Sequence, residues 1–140
     1  EDTSRSNLQQ SRKIDIRNLI GVNLWVKKYG KNMYIPDQGD IVYFNFSPSV
    51  GREQKGVRPA IVISRDIFNK SSGLAVVCPI TSKQKFYPFE VLIEVDKIYG
   101  FTLIDQARAI DYNAREFKFV SRAPIALVEE IKAKFISIVS

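Results

Sequence analysis

The chain has 140 residues, of which 45% are hydrophobic and 11% aromatic, enough apolar material for one packed domain and too much for a disordered chain. It contains no histidine, so histidine-dependent zinc sites, Ser-His-Asp triads and histidine-based nuclease sites are excluded. The formal charge of +6 indicates an anionic partner, but residues 1–33 carry +4 of it, with seven Lys/Arg against three Asp/Glu. The rest of the chain is therefore nearly neutral.

Residues 1–33 also differ from the rest in pattern. Residues 1–12 are polar and show no apolar periodicity, which is typical of a terminal arm. Between Lys13 and Tyr29 apolar side chains recur at helical spacing, and Gly30 ends the pattern. We therefore predict an N-terminal extension over residues 1–33 that consists of a polar arm and a short amphipathic segment.

The remaining residues, 34–140, show short apolar or alternating segments between turn residues, as is typical of a β-rich domain. The predicted strands are 40–46, 58–64, 74–80, 89–95, 102–104, 107–110 and 118–120. From Ile125 to Val139 the apolar period changes to that of a helix. The pattern predicts a mainly β fold with helices (α+β), a small β-barrel followed by a C-terminal helix.

Cys78, the single cysteine, lies in the apolar run 74–80, so a disulfide within the chain is impossible and a reducing compartment is favoured. A free cysteine in such a run is usually a small buried hydrophobic residue rather than a nucleophile. Apolar runs in the chain stay well below the ~18 residues that a membrane helix needs, so no membrane partner is expected.

Four ordered segments resemble a known family. Residues 34–42 read YIPDQGDIV, residues 51–64 read GREQKGVRPAIVIS, residues 79–82 read PITS, and residues 87–91 and 103–110 read YPFEV and LIDQARAI. Together they resemble the MazF/PemK family of toxin-antitoxin ribonucleases. The resemblance implies an SH3-like small β-barrel of the MazF/PemK/CcdB type over residues 34–140. Residues 1–33 have no counterpart in this family pattern. Their origin stays open: they are a fused or antitoxin-derived segment, an authentic extension or a tag.

Metal-independent RNA cleavage uses the neighbouring 2′-hydroxyl as nucleophile, and needs a base, donors on the phosphate oxygens and help for the leaving 5′-oxygen. Without histidine the base must be a carboxylate, a lysine or a tyrosine. Glu53 lies five residues before Arg58 in a glycine-flanked loop, and a guanidinium fits a phosphate well. Because arginine has a pKa above ~12, Arg58 is expected mainly to stabilise charge, with proton donation as a second role. The resemblance implies the catalytic residues Glu53, Arg58 and Thr81.

RNA contacts are predicted in three further places, because single-stranded bases stack on aromatic side chains and phosphates attract cations. They are residues 51–59, here the Glu53 loop, the loop that joins cations to rings after Thr81, and a second polar loop at residues 69–73. The predicted RNA-binding residues are Gln54, Lys55, Lys83, Lys85, Phe86, Tyr87, Asn69, Lys70 and, from the resemblance, Gln106.

The resemblance implies a growth-inhibiting toxin that cuts single-stranded RNA, including mRNA, at specific sequences, leaving a 2′,3′-cyclic phosphate and a 5′-hydroxyl. It also implies no metal or cofactor, a homodimer, a cognate antitoxin of the MazE/PemI type and a place in the bacterial cytoplasm. The alternative is a non-catalytic toxin of the CcdB type that poisons a topoisomerase by protein contact. A third interpretation is an inert SH3-like adaptor. The Glu53, Arg58 and Thr81 set favours the enzyme, since a binding toxin does not need it.

Overall fold

The computed structural model describes residues 34–46, 51, 56–114 and 117–140. Within them the chain forms seven strands, two α-helices and one 3₁₀ turn. In chain order these are β1 (Asp40–Asn45), β2 (Val57–Val62), α1 (Asp66–Ser72), β3 (Leu74–Thr81), β4 (Glu90–Val95), β5 (Ile98–Leu103), the 3₁₀ turn (Ile104–Gln106), β6 (Arg108–Asp111), β7 (Phe117–Arg122) and α2 (Ile125–Val139). The predicted mainly β fold with a C-terminal helix is confirmed.

The strands form an antiparallel sheet in the order β4-β5-β3-β2-β1-β7, with β6 added to β3. Strand β3 is the central strand of this sheet because it pairs with three other strands, two of them along one edge. Residues 74–77 pair with β6, and residues 80–81 pair with β5. On the other edge, residues 77–79 pair with β2. The sheet curls into a half-barrel, which matches the small barrel that the sequence predicts.

Both faces of the central strands are apolar, which explains why their sequences are nearly continuous apolar runs. The face that packs against α2, here the helix face, includes Ile41, Ile61, Cys78, Ile80, Ile93, Val128 and Ile131. The opposite face, here the far face, includes Val42, Phe44, Ala60, Val62 and Val77. Since side chains alternate along a strand, a shift of one residue moves a side chain from one face to the other.

A buried polar cluster holds the start of β1. The Asp40 carboxylate accepts hydrogen bonds from the Tyr34 hydroxyl, from the Asp37 N–H (2.9 Å) and from Arg122 Nη1 of β7 (3.1 Å). Burial raises the pKa of Asp40 to about 6, and the bonds from Tyr34 and Asp37 and the charge of Arg122 limit that rise. The cluster ties the residues before β1 to β7 at one end of the sheet.

The strands predicted at 40–46, 58–64, 74–80 and 89–95 are confirmed, with ends that differ by one or two residues. The shorter predictions at 107–110 and 118–120 correspond to β6 and β7, and 102–104 covers the end of β5 and the start of the 3₁₀ turn.

The prediction that residues 69–73 form a polar loop is wrong. They are the second half of α1 and its C-terminal Gly73. Asn69 anchors this helix, because its side-chain amide donates to the Pro36 carbonyl (2.8 Å) and its own carbonyl accepts from the Tyr112 hydroxyl (2.6 Å). A short helix whose polar residue bonds inward looks like a loop in sequence, since its apolar period is too short to detect.

The amphipathic segment predicted at residues 13–29 lies outside the described residues. Neither of the two α-helices among the described residues has the length and apolar content of a membrane-spanning segment.

Candidate active site

The antiparallel register of β2 and β3 brings Arg58 and Thr81 together. The paired residues run from Val62–Val77 to Ala60–Pro79. The same register continued by two residues sets Arg58 opposite Thr81, and directly opposed residues on one face have Cβ atoms about 5 Å apart. Arg58 also pairs with Phe44 of β1, which places it on the far face. Two residues that are 23 positions apart in sequence therefore meet at one end of the sheet.

Burial differs between the two side chains. Arg58 is half-buried, whereas Thr81 is only 7% exposed at the end of its strand. The Thr81 hydroxyl oxygen accepts a hydrogen bond from the Lys83 N–H (3.3 Å). Since a hydroxyl carries one hydrogen and two lone pairs, Thr81 can still donate its hydrogen to a substrate oxygen. A fixed donor thus lies beside a guanidinium, an arrangement suited to a phosphate.

Glu90 organises the loop between β3 and β4. Its carboxylate accepts hydrogen bonds from the backbone N–H groups of Lys85 and Phe86, both at 2.8 Å. Phe86 has a φ of 59°, which is uncommon for a residue with a large side chain, and its ring is 81% exposed. Lys83 and Lys85 are also exposed. The loop therefore presents two cations and a ring just after Thr81, as the sequence predicts.

Tyr87 is held differently from the other residues of this loop. It is half-buried, its hydroxyl donates to Asp105, and its ring lies edge-on to Phe89 with the centroids 6.3 Å apart. Burial and the bond to Asp105 raise the pKa of Tyr87 well above its ordinary value. Lys134 of α2 donates to the Pro88 carbonyl (2.9 Å), which fixes the same stretch of backbone. Tyr87 thus supports the loop as well as facing its surface.

The Glu53 loop is described only at its ends. Gly51 and Gly56 have φ values of 62° and 76°, a left-handed conformation that glycine adopts without strain. The Gly56 carbonyl accepts from the Phe46 N–H (2.9 Å), so the second end of the loop is attached to the end of β1. The predicted residues Glu53, Gln54 and Lys55 lie outside the described residues.

Two predicted RNA-binding residues are not brought to this site. Asn69 is 0% exposed and its side chain bonds to Pro36 and Ser64, so it is not available to a substrate. Lys70 is exposed, but α1 precedes Leu74, at the end of β3 opposite to Thr81. An eight-residue strand separates the two ends by roughly 20 Å.

The segment after β5 contains Gln106, which the sequence predicts as an RNA contact, and Arg108, which is not among the predicted residues. The predicted Gln106 is half-buried in the 3₁₀ turn. Arg108 pairs with Val77 on the far face, and its guanidinium lies 5.9 Å from the centroid of the Phe46 ring. Its alternation with the buried Ile110 was a signal that could have placed it there.

Cys78 is the one cysteine of the chain, and it does not belong to the candidate site. Cys78 is fully buried on the helix face, and burial raises the pKa of its thiol to about 12, so the interpretation as a buried hydrophobic residue is confirmed. Among the described residues, no group of three or more Cys, Asp or Glu side chains is arranged to hold a metal ion.

Comparison with known proteins gives a consistent family. The model for "PemK-like, MazF-like toxin of type II toxin-antitoxin system" matches residues 37–139. The chain is 40% identical over 82 residues to the endoribonuclease toxin MazF of Escherichia coli, covering 59% of this chain and 74% of that protein. It is 41% identical over 83 residues to the endoribonuclease EndoA of Bacillus subtilis, covering 55% and 72%.

Solved structures agree with this comparison. MazF from Deinococcus radiodurans matches with a TM-score of 0.70 and 39% identity, covering 75% of this chain and 96% of that one. A MazE-MazF structure from the same organism matches with a TM-score of 0.66 and 34% identity, covering 76% and 97%. The part of the chain that aligns therefore corresponds to nearly the whole of those structures.

Proposed function

This chain belongs to the PemK-like, MazF-like toxin family of type II toxin-antitoxin systems and is an endoribonuclease toxin, and we propose that it cuts single-stranded RNA at specific sequences without a metal or cofactor. In this proposal the 2′-hydroxyl attacks the adjacent phosphate, the 5′-oxygen leaves, and the products are a 2′,3′-cyclic phosphate and a 5′-hydroxyl. Cleavage of mRNA in the bacterial cytoplasm would then stop translation and growth.

The observation that carries the proposal is the register of β2 and β3, which, extended two residues beyond the pair Ala60–Pro79, sets Arg58 opposite Thr81 on one face of the sheet. In the transition state negative charge builds up on the phosphate oxygens. A guanidinium provides two parallel N–H donors for them, and the threonine hydroxyl adds a third, already oriented by its bond to Lys83. Arg58 is accordingly assigned to charge stabilisation, and Thr81 to holding the scissile phosphate.

Glu53 is proposed as the base that takes the proton of the 2′-hydroxyl. The chain has no histidine, and a carboxylate within a loop that joins β1 to the strand of Arg58 can reach the same phosphate. The proton that Glu53 accepts would return, directly or through water, to the leaving 5′-oxygen, with Arg58 as a second donor.

Substrate contacts are proposed around this pair. Gln54 and Lys55 come from the Glu53 loop, and Gln106 from the 3₁₀ turn. The exposed Lys83, Lys85 and Phe86 come from the loop that Glu90 organises, and Tyr87 holds that loop through its bond to Asp105. Asn69 and Lys70 are left out of the site, because the first is buried in α1 and the second lies at the far end of β3.

The proposed partners are a second copy of the chain and a cognate antitoxin of the MazE/PemI type. The similarity to the MazE-MazF structures from Deinococcus radiodurans supports an antitoxin partner. Residues 34–140 are proposed as the toxin domain, with residues 1–33 as an extension that packs on this domain or at the dimer interface. Deletion of residues 1–32 should then lower the melting temperature or the activity; no change in either would contradict such packing.

The decisive experiment is digestion of a mixed single-stranded RNA by the purified chain in EDTA, followed by sequencing and chemical mapping of the ends. We expect cuts at a defined motif, with 2′,3′-cyclic phosphate and 5′-hydroxyl ends. Arg58→Ala should lower the cleavage rate by roughly 10³-fold or more, and Arg58→Lys should recover part of it, because lysine keeps the charge but not the two parallel donors.

Thermal unfolding of both variants serves as the control, since Arg58 is half-buried at a strand end and its replacement should leave the fold intact. Cleavage that persists in Arg58→Ala, or 3′-hydroxyl ends, would show that the assigned mechanism is wrong. A chain that leaves RNA intact but arrests growth by binding a topoisomerase would support the CcdB-type alternative instead.

A further inference from the structure

Strand pairing places three large side chains beside Thr81 on the far face. Thr81 of β3 pairs with Phe101 of β5, and Phe101 pairs in turn with Leu92 of β4. Tyr99 lies two residues from Phe101 on the same strand, so its side chain points to the same face, about 7 Å away. We call Leu92, Tyr99 and Phe101 the aromatic platform.

The platform is not part of the core of the domain. The alternate residues Val91, Ile93 and Ile98 of the same hairpin are buried on the helix face, whereas Tyr99 is 63% exposed and Leu92 is 44% exposed. The rings of Tyr99 and Phe101 lie edge-to-face, with centroids 6.2 Å apart and planes at 80°, so each orients the other. Apolar side chains held in place at the surface beside a reactive pair suit a ligand with flat apolar faces.

Charges around the platform indicate how such a ligand would lie. The extended register of β2 and β3 sets Arg58 opposite Thr81, and the Lys83 N–H bonds to the Thr81 hydroxyl, so a phosphate would bind on this side. On the opposite side Glu94 pairs with Tyr99, and its carboxylate would repel a phosphate at that position. A strand of RNA would therefore pass its backbone along Thr81 and direct a base toward Tyr99.

We propose that the aromatic platform stacks a base of the RNA next to the scissile phosphate, so that Tyr99 contributes to substrate affinity and to the choice of cut site. This inference rests on the proposed function, since the ligand is the RNA that Arg58 and Thr81 would cut. Stacking on an aromatic ring accepts any base to some degree, and a preference arises because larger bases stack more strongly.

The experiment compares Tyr99→Leu and Tyr99→Phe with the matched control Tyr43→Leu. Tyr43 is also a strand tyrosine, 40% exposed, but it pairs with Pro59 and so points to the helix face. The binding probe is a labelled mixed-sequence 20-nucleotide RNA with 2′-fluoro sugars, which lacks the attacking hydroxyl, and a second probe has the same backbone without bases. Cleavage of ordinary RNA is measured in parallel as kcat and KM, and sedimentation gives the oligomeric state.

We expect Tyr99→Leu to weaken binding of the base-bearing probe by about tenfold or more, and to raise KM with little change in kcat. Tyr99→Phe and Tyr43→Leu should bind and cut like the wild type, and binding of the probe without bases should not change in any variant.

Equal binding by Tyr99→Leu and Tyr43→Leu would overturn the platform while the proposed function stands. So would a Tyr99→Leu variant that alters the oligomeric state alone, because the platform would then contact a second copy. If the wild-type chain binds the probe through Tyr99 but leaves ordinary RNA intact, the platform stands and the proposed function fails.

Discussion

Ile80 and Thr81 are neighbours in β3, yet they belong to different parts of the protein. Ile80 points to the helix face and is buried among the side chains that pack against α2. Thr81 points to the far face, opposite Arg58 and beside the aromatic platform. The alternation of a strand thus separates stability from chemistry by one residue. At this end of β3, a substitution on the helix face should change mainly the free energy of unfolding, and a substitution on the far face should change mainly the rate of cleavage.

The largest expected effect tests the helix face. Ile61→Ala should lower the free energy of unfolding by about 3–4 kcal/mol, because Ile61 is 1% exposed and its removal leaves a cavity in the core. Denaturant unfolding measures this loss. The molecules that stay folded should cut RNA near the wild-type rate, although Arg58 is only three residues away. A stable variant with poor cleavage would break the separation of the two faces.

The Asp40 cluster shows that the far face is structural at its other end. The folded pKa of Asp40, about 6, is above the unfolded value, so the folded state holds the proton more tightly. The stabilisation is therefore present below about pH 4 and is lost as pH rises through about 6. The loss should amount to about 3 kcal/mol relative to Asp40→Asn, whose profile lacks this titration.

Unfolding at several pH values between 4 and 7 measures that difference. A stability difference between wild type and Asp40→Asn that is flat, or that grows in favour of the wild type as pH rises, would contradict the assignment.

Thr81→Val tests the chemistry of the far face. Valine has the shape of threonine but lacks the hydroxyl, so the rate of cleavage should fall by about 10²-fold. The free energy of unfolding should fall by only about 1 kcal/mol, through loss of the bond from Lys83. Thr81→Ser should restore most of the rate, because it restores the hydroxyl. Full activity in the valine variant would remove Thr81 from the mechanism.

The smallest effect is expected for Gly100→Ala, which should disturb residues of β3 on both faces. A Cβ added at Gly100 would lie 2.6 Å from the Thr81 carbonyl oxygen and 2.9 Å from the Ile80 side chain. Gly100→Ala should therefore push β3 away from β5 and cost about 1–2 kcal/mol of stability. Because the shift moves Thr81, cleavage should slow as well. A variant that loses stability but keeps its rate would show that Thr81 tolerates movement of its backbone.

Prediction from sequence was most accurate where the pattern is local. The C-terminal helix and the central strands follow from apolar periodicity. The observed ends of the central strands differ from the predicted ends by two residues at most. The helix at 66–72 was missed because seven residues contain too few turns for a periodic signal. The prediction that Asn69 binds RNA fails for a related reason. A polar residue looks exposed in sequence unless the tertiary partners that bury it are known.

The candidate site likewise has a part that the sequence predicts and a part that depends on the fold. The family motif is the basis on which Arg58, Thr81 and Glu53 are proposed, and the absence of histidine excludes an imidazole as the base. The positions of Arg58 and Thr81 relative to each other, and of both relative to Tyr99 and Phe101, required the fold. Cross-strand register depends on which strands pair and where the chain turns, and residues 23 positions apart carry no local signal of that pairing.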